Sequence, residues 1–197
     1  MTKTDIANSC MVKIGADPIM SFDQDVKRAK FAKNRIDSVI RVVSRMHPWN
    51  CAIKRTVTSP LADETPAYTY AYAHQLPSDC LRILEINPVG LDDYRIEGRN
   101  ILTDTTTVNL KYISDMTDNV QELDELMAEA IACYLAWDLA YPIVQSRSLK
   151  ESIWKDFKAI LKTAKSTDAK EDPALYVEAN EWVDSRFAAT DPRLRSD

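Results

Sequence analysis

Residues 123–141 read LDELMAEAIACYLAWDLAY, the longest helical signal in the chain. Leu123, Leu126, Met127, Ala130, Ile131, Tyr134 and Leu135 fall at spacings of three and four, which lays one apolar stripe along a helix. Trp137 and Leu139 carry apolar character around the cylinder, so this helix requires neighbours on several sides, with Leu126, Ile131 and Leu135 expected to be buried. Thr117 or Asp118 suits its cap, Glu122, Asp124 and Glu125 suit the positive end of its dipole, and Pro142 is expected to end it. Glu129 and Asp138 interrupt a run barely long enough to cross hydrocarbon, so it reads as a core helix and not as a membrane span.

A chain of 197 residues can sustain one full domain without disulfides. Cys10, Cys51, Cys80 and Cys133 form no CxxC pair and the histidines are His47 and His74, so metal-ligand spacing is absent and no cofactor is expected. Scattered structural cysteines suit a reducing cytosol. Met1 leads into polar TKTD and not into a basic segment and an apolar run, so no secretory signal is expected and assembly belongs in the cytoplasm. A net charge of -5 opposes an ordinary electrostatic grip on nucleic acid, while leaving room for DNA to pass nearby.

Residues 4–14 predict a short helix, with Ile6, Ala7, Cys10, Met11 and Ile14 on one face, Thr4 or Thr2 as cap and Gly15 as stop. The connector ADPIMSFDQD contains Pro18, and a long helix is expected to start near Asp25. Between Val26 and Met46 the apolar positions keep a helical period, and Lys27, Arg28, Lys30, Lys33, Arg35, Arg41 and Arg45 form a basic outer face, either solvated or in contact with another subunit. His47-Pro48-Trp49 closes that helix, with Trp49 expected to fold back onto the core. From Thr56 the helical period disappears. YTYAYA (68–73) and LRILEIN (81–87) alternate as strands; residues 94–97 and 100–103 flank Gly98-Arg99 as a hairpin, and TVNLKYI (107–113) is the last strand. Residues 148–163 then predict an amphipathic helix antiparallel to the central one, with 164–169 as an extension. From Asp172 the pattern breaks into scattered apolar anchors and a charged end, an arm that needs a surface to lie on.

Enzyme motifs fail one by one. Gly15, Gly90 and Gly98 begin neither GxxxxGK nor GxGxxG, and GxSxG and HExxH are absent. Glu122 with Glu125, or Asp92 with Asp93, read as a helix start and a loop, not as a glycosidase pair.

The order of the pieces carries a resemblance. A first helix runs into IGADPIMSFDQD, and a basic helix ends in MHPWNCA. YAYAHQLPSDCLRILEI, the hairpin YRIEGRNILTDTTTVNLKYI, the helix AEAIACYLAWDLAYPI and a final EWVDSRF follow in turn. In this combination, over most of its length, the chain resembles the head-to-tail adaptors of short-tailed phages, the tail tubular protein A family. Trp137 within the AxxLAxxLA-like helix departs from the pattern.

The resemblance implies a non-enzymatic virion protein. Copies form a ring below the portal protein, usually a dodecamer, which extends the channel for double-stranded DNA and carries the tail nozzle and tail fibre proteins, with no membrane partner. The fold class expected is α+β: an antiparallel helix bundle (1–55 and 116–171) with an inserted small antiparallel β-sheet (56–115) and a C-terminal extended arm (172–197). Tyr176, Trp182, Arg186 and Phe187 of the arm are the candidate portal-binding residues, because aromatic anchors and an arginine contribute most at desolvated interfaces. Two other classes are a tail-associated cell-wall hydrolase, which requires two carboxylates converging in a cleft, and a regulatory protein-binding module, which would stay monomeric.

Overall fold

The computed structural model describes residues 1–62, 65–87 and 93–171. Four helices, α1 (Lys3–Ile14), α2 (Lys27–Arg45), α3 (Glu125–Val144) and α4 (Arg147–Glu171), combine with six strands, β1 (Ile53–Thr58), β2 (Tyr72–Gln75), β3 (Cys80–Asn87), β4 (Tyr94–Glu97), β5 (Asn100–Thr103) and β6 (Val108–Ser114). The fold is therefore a mixed α+β arrangement, as the sequence predicts.

The central position of α3 follows from its composition. It is apolar almost evenly around its circumference and buries ten residues, among them Met127, Ile131, Leu135 and Leu139 with a series of alanines. Each large apolar side chain so enclosed stabilises the fold by about 1.5–3 kcal/mol. The alanines let neighbouring backbones come close, and α1, α2 and α4 all pack on α3. By length and composition α3 is apolar enough to cross a membrane. Ten of its residues are instead covered by protein, and its acidic residues Glu129 and Asp138 are tied to neighbours. Glu129 takes hydrogen bonds from Lys13 and Ser9 of α1, while Arg35 of α2 donates to Asp138 at 2.5 Å.

The ends of α3 differ from expectation. Residues 120–122 form a separate short turn, so the cap is Asp124, whose carboxylate accepts from the Leu126 and Met127 amides at 2.9 and 3.1 Å, and not Thr117 or Asp118. Pro142 lies inside the last turn instead of ending the helix. A proline there forfeits one backbone bond to the preceding turn, and the helix stops at Gln145, which takes a left-handed φ of 58°. Leu126, expected to be buried, is half-buried beside that cap, whereas Ile131 and Leu135 are fully enclosed.

The other helices keep their expected faces. Thr2 caps α1 through a reciprocal pair with Asp5, and Gly15 ends it at φ 70°. The long helix α2 begins at Lys27, with Val26 at the cap. Trp49 folds back with 0% exposure and donates its indole N–H to the Val43 carbonyl at 3.0 Å. In α4 the helix continues to Glu171, because Ala164 and Asp168 are both buried one turn apart. Asp168 accepts from the Asn50 amide at 3.0 Å and lies 2.9 Å from His47 Nε2, which pins the far end of α4 to the corner after α2.

The strands form two three-stranded antiparallel sheets, ordered β1-β6-β3 and β2-β5-β4, where a single sheet was expected. The first strand begins at Ile53, ahead of Thr56, because it pairs residue by residue with β6 from Ile53↔Ile113 to Thr58↔Val108. The aromatic strand is shifted to Tyr72–Gln75. Residues 68–70 turn instead, with Thr69 at φ 72°, and the Ala71 amide donates to Asp104. His74, placed by the sequence just after a strand, is fully buried inside one, its Nε2 2.8 Å from the Thr105 carbonyl. The hairpin β4-β5 turns at Gly98, φ 57°, while Arg99 keeps a negative φ, the pattern of a turn with glycine first. A second, smaller core of Ile86, Ile101, Val108, Leu110 and Tyr112 joins the strands.

Two joints meet just past β6, one among the strands and one to α2. Asp79 accepts from Lys54 at 2.9 Å and from the Tyr112 hydroxyl at 3.0 Å, and its carbonyl accepts from the Asp115 amide at 2.7 Å. Arg41 of α2 in turn donates to the Asp115 carboxylate at 2.6 Å.

Candidate interaction surface

The basic face of α2 is largely neutralised within the chain. Lys30 pairs with Asp25, Lys33 with Asp23 at 2.6 Å, Arg28 with Asp17 at 3.7 Å, and Arg35 and Arg41 with Asp138 and Asp115. Arg35 and Arg41 thereby fasten α2 to α3 and to the link before it, a use that lies between solvation and subunit contact. A face whose charges are matched in this way has little left to attract an anionic partner.

The α3-α4 hairpin is different. The short link after α3 returns the chain alongside it, and contacts run from Lys150 on Trp137 to Trp154 and Phe157 on Tyr134, the order of an antiparallel pair. Trp137 and Trp154 have centroids 4.9 Å apart, and Trp154 stacks on the buried Phe157 at 5.2 Å. Trp137 and Trp154 floor an open groove of about 700 Å³ that also includes Tyr141. Arg147, Lys150, Lys155 and Lys158 stand around it with a single carboxylate, Glu151. Among the described residues none of the four cations makes an ion pair. Three of them lie over rings instead: Lys150 at 4.6 Å from Trp137, Lys158 at 5.9 Å from Trp154 and Arg147 at 5.9 Å from Tyr141. Cation and ring together suit a ligand that brings both negative charge and flat apolar surface.

A second exposed aromatic feature is the loop before β2, where Tyr68 is 83% exposed beside the strained Thr69. A β-branched residue at positive φ stores about 1–3 kcal/mol, and such positions cluster at sites of contact. Its shallow cleft has Arg95 and Glu97 side by side, so it offers no net charge to a partner.

Both histidines have partners within the fold. His47 meets Asp168 and packs edge-on against Trp49 at 4.9 Å, and His74 is enclosed between Thr105 and Thr58. Glu122 ends a short turn and Glu125 opens α3. Among the described residues no group of three His, Cys, Asp or Glu side chains is placed to hold a metal ion.

Of the sequence-derived site residues, Tyr176, Trp182, Arg186 and Phe187 lie outside the described residues, as does Asp92 of the carboxylate pair. The α3-α4 groove was not anticipated from the sequence. Its signal was present as two tryptophans, Trp137 and Trp154, on helices joined by a short link, with four cations within twelve residues of α4. No protein-family model matches the chain, and no curated protein matches it either.

Proposed function

We propose that this chain is a structural head-to-tail connector of a short-tailed phage. Copies form a ring below the portal, extend the DNA channel and carry the nozzle and fibres. One observation carries the reading: the sequence blocks that resemble the tail tubular protein A family coincide with the joints of this fold. IGADPIM contains Ile19, whose backbone is clamped by the Asn8 side chain at 2.8 and 3.1 Å. MHPWNCA contains the buried Trp49 and the His47 and Asn50 contacts to Asp168. LPSDC contains Asp79, which holds Lys54 and Tyr112. The blocks that carry the resemblance thus tie α1 to its connector, the corner after α2 to α4, and β1 and β6 to the link before β3, internal bracing that suits a subunit under load from packaged DNA.

In this reading the helices act as an antiparallel bundle, the β-rich part braces it, and the arm 172–197 reaches the portal through Tyr176, Trp182, Arg186 and Phe187. The DNA passes without sequence-specific contacts, in keeping with the net charge of -5. Electron microscopy and sedimentation of the purified chain mixed with its portal are expected to give closed rings, dodecameric in the family pattern, stacked on the portal. A chain that stays monomeric with portal present, or one that solubilises purified peptidoglycan, would overturn the connector.

A further inference from the structure

The four cations of the α3-α4 groove make no ion pair among the described residues, and an acidic stretch that could complement them follows α4 directly in sequence. Residues 171–184, EDPALYVEANEWVD, include Glu171, Asp172, Glu178, Glu181 and Asp184, no lysine or arginine, and the apolar Leu175, Tyr176, Val177, Trp182 and Val183. Charge and aromatic content are both complementary to a floor of Trp137 and Trp154 rimmed by Lys150, Lys155 and Lys158. We propose that the groove is the docking site of the chain's own segment 175–184 in the free subunit, with Trp182 on the aromatic floor and the segment's carboxylates on the lysine rim.

Reach limits which residue arrives. The 25 residues of α4 set its ends about 36 Å apart at 1.5 Å per residue. Trp182, eleven residues past Glu171, spans at most about 36–40 Å and can return to the aromatic floor, whereas Tyr176, five residues past it, spans at most about 18 Å and reaches only the Lys158 end of the rim. Trp182 is therefore the anchor. A tethered segment of this length is held at an effective concentration of about millimolar, which favours the same chain over a second copy in dilute solution. The inference concerns the free chain and does not depend on the connector reading. If both hold, the segment leaves the groove when the portal takes it.

The test is hydrogen exchange on the full chain, followed for the amides of 177–183. In the wild type these are expected to exchange about tenfold slower or more than in Lys155→Glu/Lys158→Glu or in Trp182→Ala, at any protein concentration. Adding Glu178→Lys/Glu181→Lys to the lysine variant is expected to restore protection. Lys155 and Lys158 are exposed, so the helical circular dichroism of the variants is expected to match the wild type. Exchange that is equally fast in wild type and variants would overturn the proposal. So would protection that grows with protein concentration, which would assign the groove to a second copy. Binding of a single-stranded oligonucleotide that the lysine reversals abolish, with no protection of 177–183, would assign it to nucleic acid.

Discussion

Leu135 is enclosed at the centre of the molecule, with Ile131 one turn before it and Leu139 one turn after. Leu135→Ala is expected to cost about 2–5 kcal/mol in urea unfolding, because the cavity cannot collapse between helices packed on several sides. The same change at half-buried Leu126 is expected to cost less. A Leu135→Ala protein that unfolds at the wild-type urea concentration would remove α3 from the centre. The three-and-four spacing made Ile131 and Leu135 legible as core residues, yet it misjudged Leu126. On a helix apolar nearly all round, spacing does not rank one face above another. Asp168 was not legible either. A carboxylate in a polar run is buried only because the Asn50 amide and His47, more than a hundred residues earlier, close over it.

Among the elements, the β4-β5 hairpin was readable because its determinant is local: Gly98 alone supplies the positive φ. Gly98→Val is expected to cost about 1–2 kcal/mol, seen as faster hydrogen exchange across β4 and β5. Unchanged exchange would mean that the turn does not need glycine. The division into two sheets was not readable, because β1 finds β6 and β2 finds β5 across long stretches that no local pattern encodes. The joints between elements also carry a pH dependence. Burial alone would raise the Asp115 carboxyl, but the hydrogen bonds from Arg41 and Thr117 outweigh it and hold the group below its ordinary value of 3.8. Asp79 is likewise pushed up by burial and brought below 3.8 by Lys54 and Tyr112. Since the folded-state values lie below the unfolded ones, both contributions are complete above about pH 4 and are lost as pH falls through the lower values. Acid titration of Asp115→Asn is therefore expected to show a shallower loss of stability below pH ~4 than the wild type. An identical acid limb would mean that the Arg41 contact contributes nothing.

For the molecule as a whole, the sequence order of helix, sheet and helix was legible, and so was the central place of α3, because one apolar helix among amphipathic ones has to be surrounded. The α3-α4 groove was not, since its aromatic floor and cationic rim converge only once two helices lie antiparallel. One further property follows from where the thiols sit. Cys10 and Cys133 are enclosed in the main core, Cys80 in the smaller one, and Cys51 is half-covered against the Met127 sulfur at 3.7 Å. Burial pushes all four above their ordinary range, Cys10 to about 12, so almost none of the reactive thiolate form exists at neutral pH. An aromatic disulfide reagent is expected to label the folded chain slowly and all four sites at once in urea, whereas rapid labelling of Cys10 or Cys133 in the native protein would show that the core opens. A chain whose thiols are shielded in this way is expected to keep no record of its redox surroundings: exposed to air, it should age without acquiring cross-links.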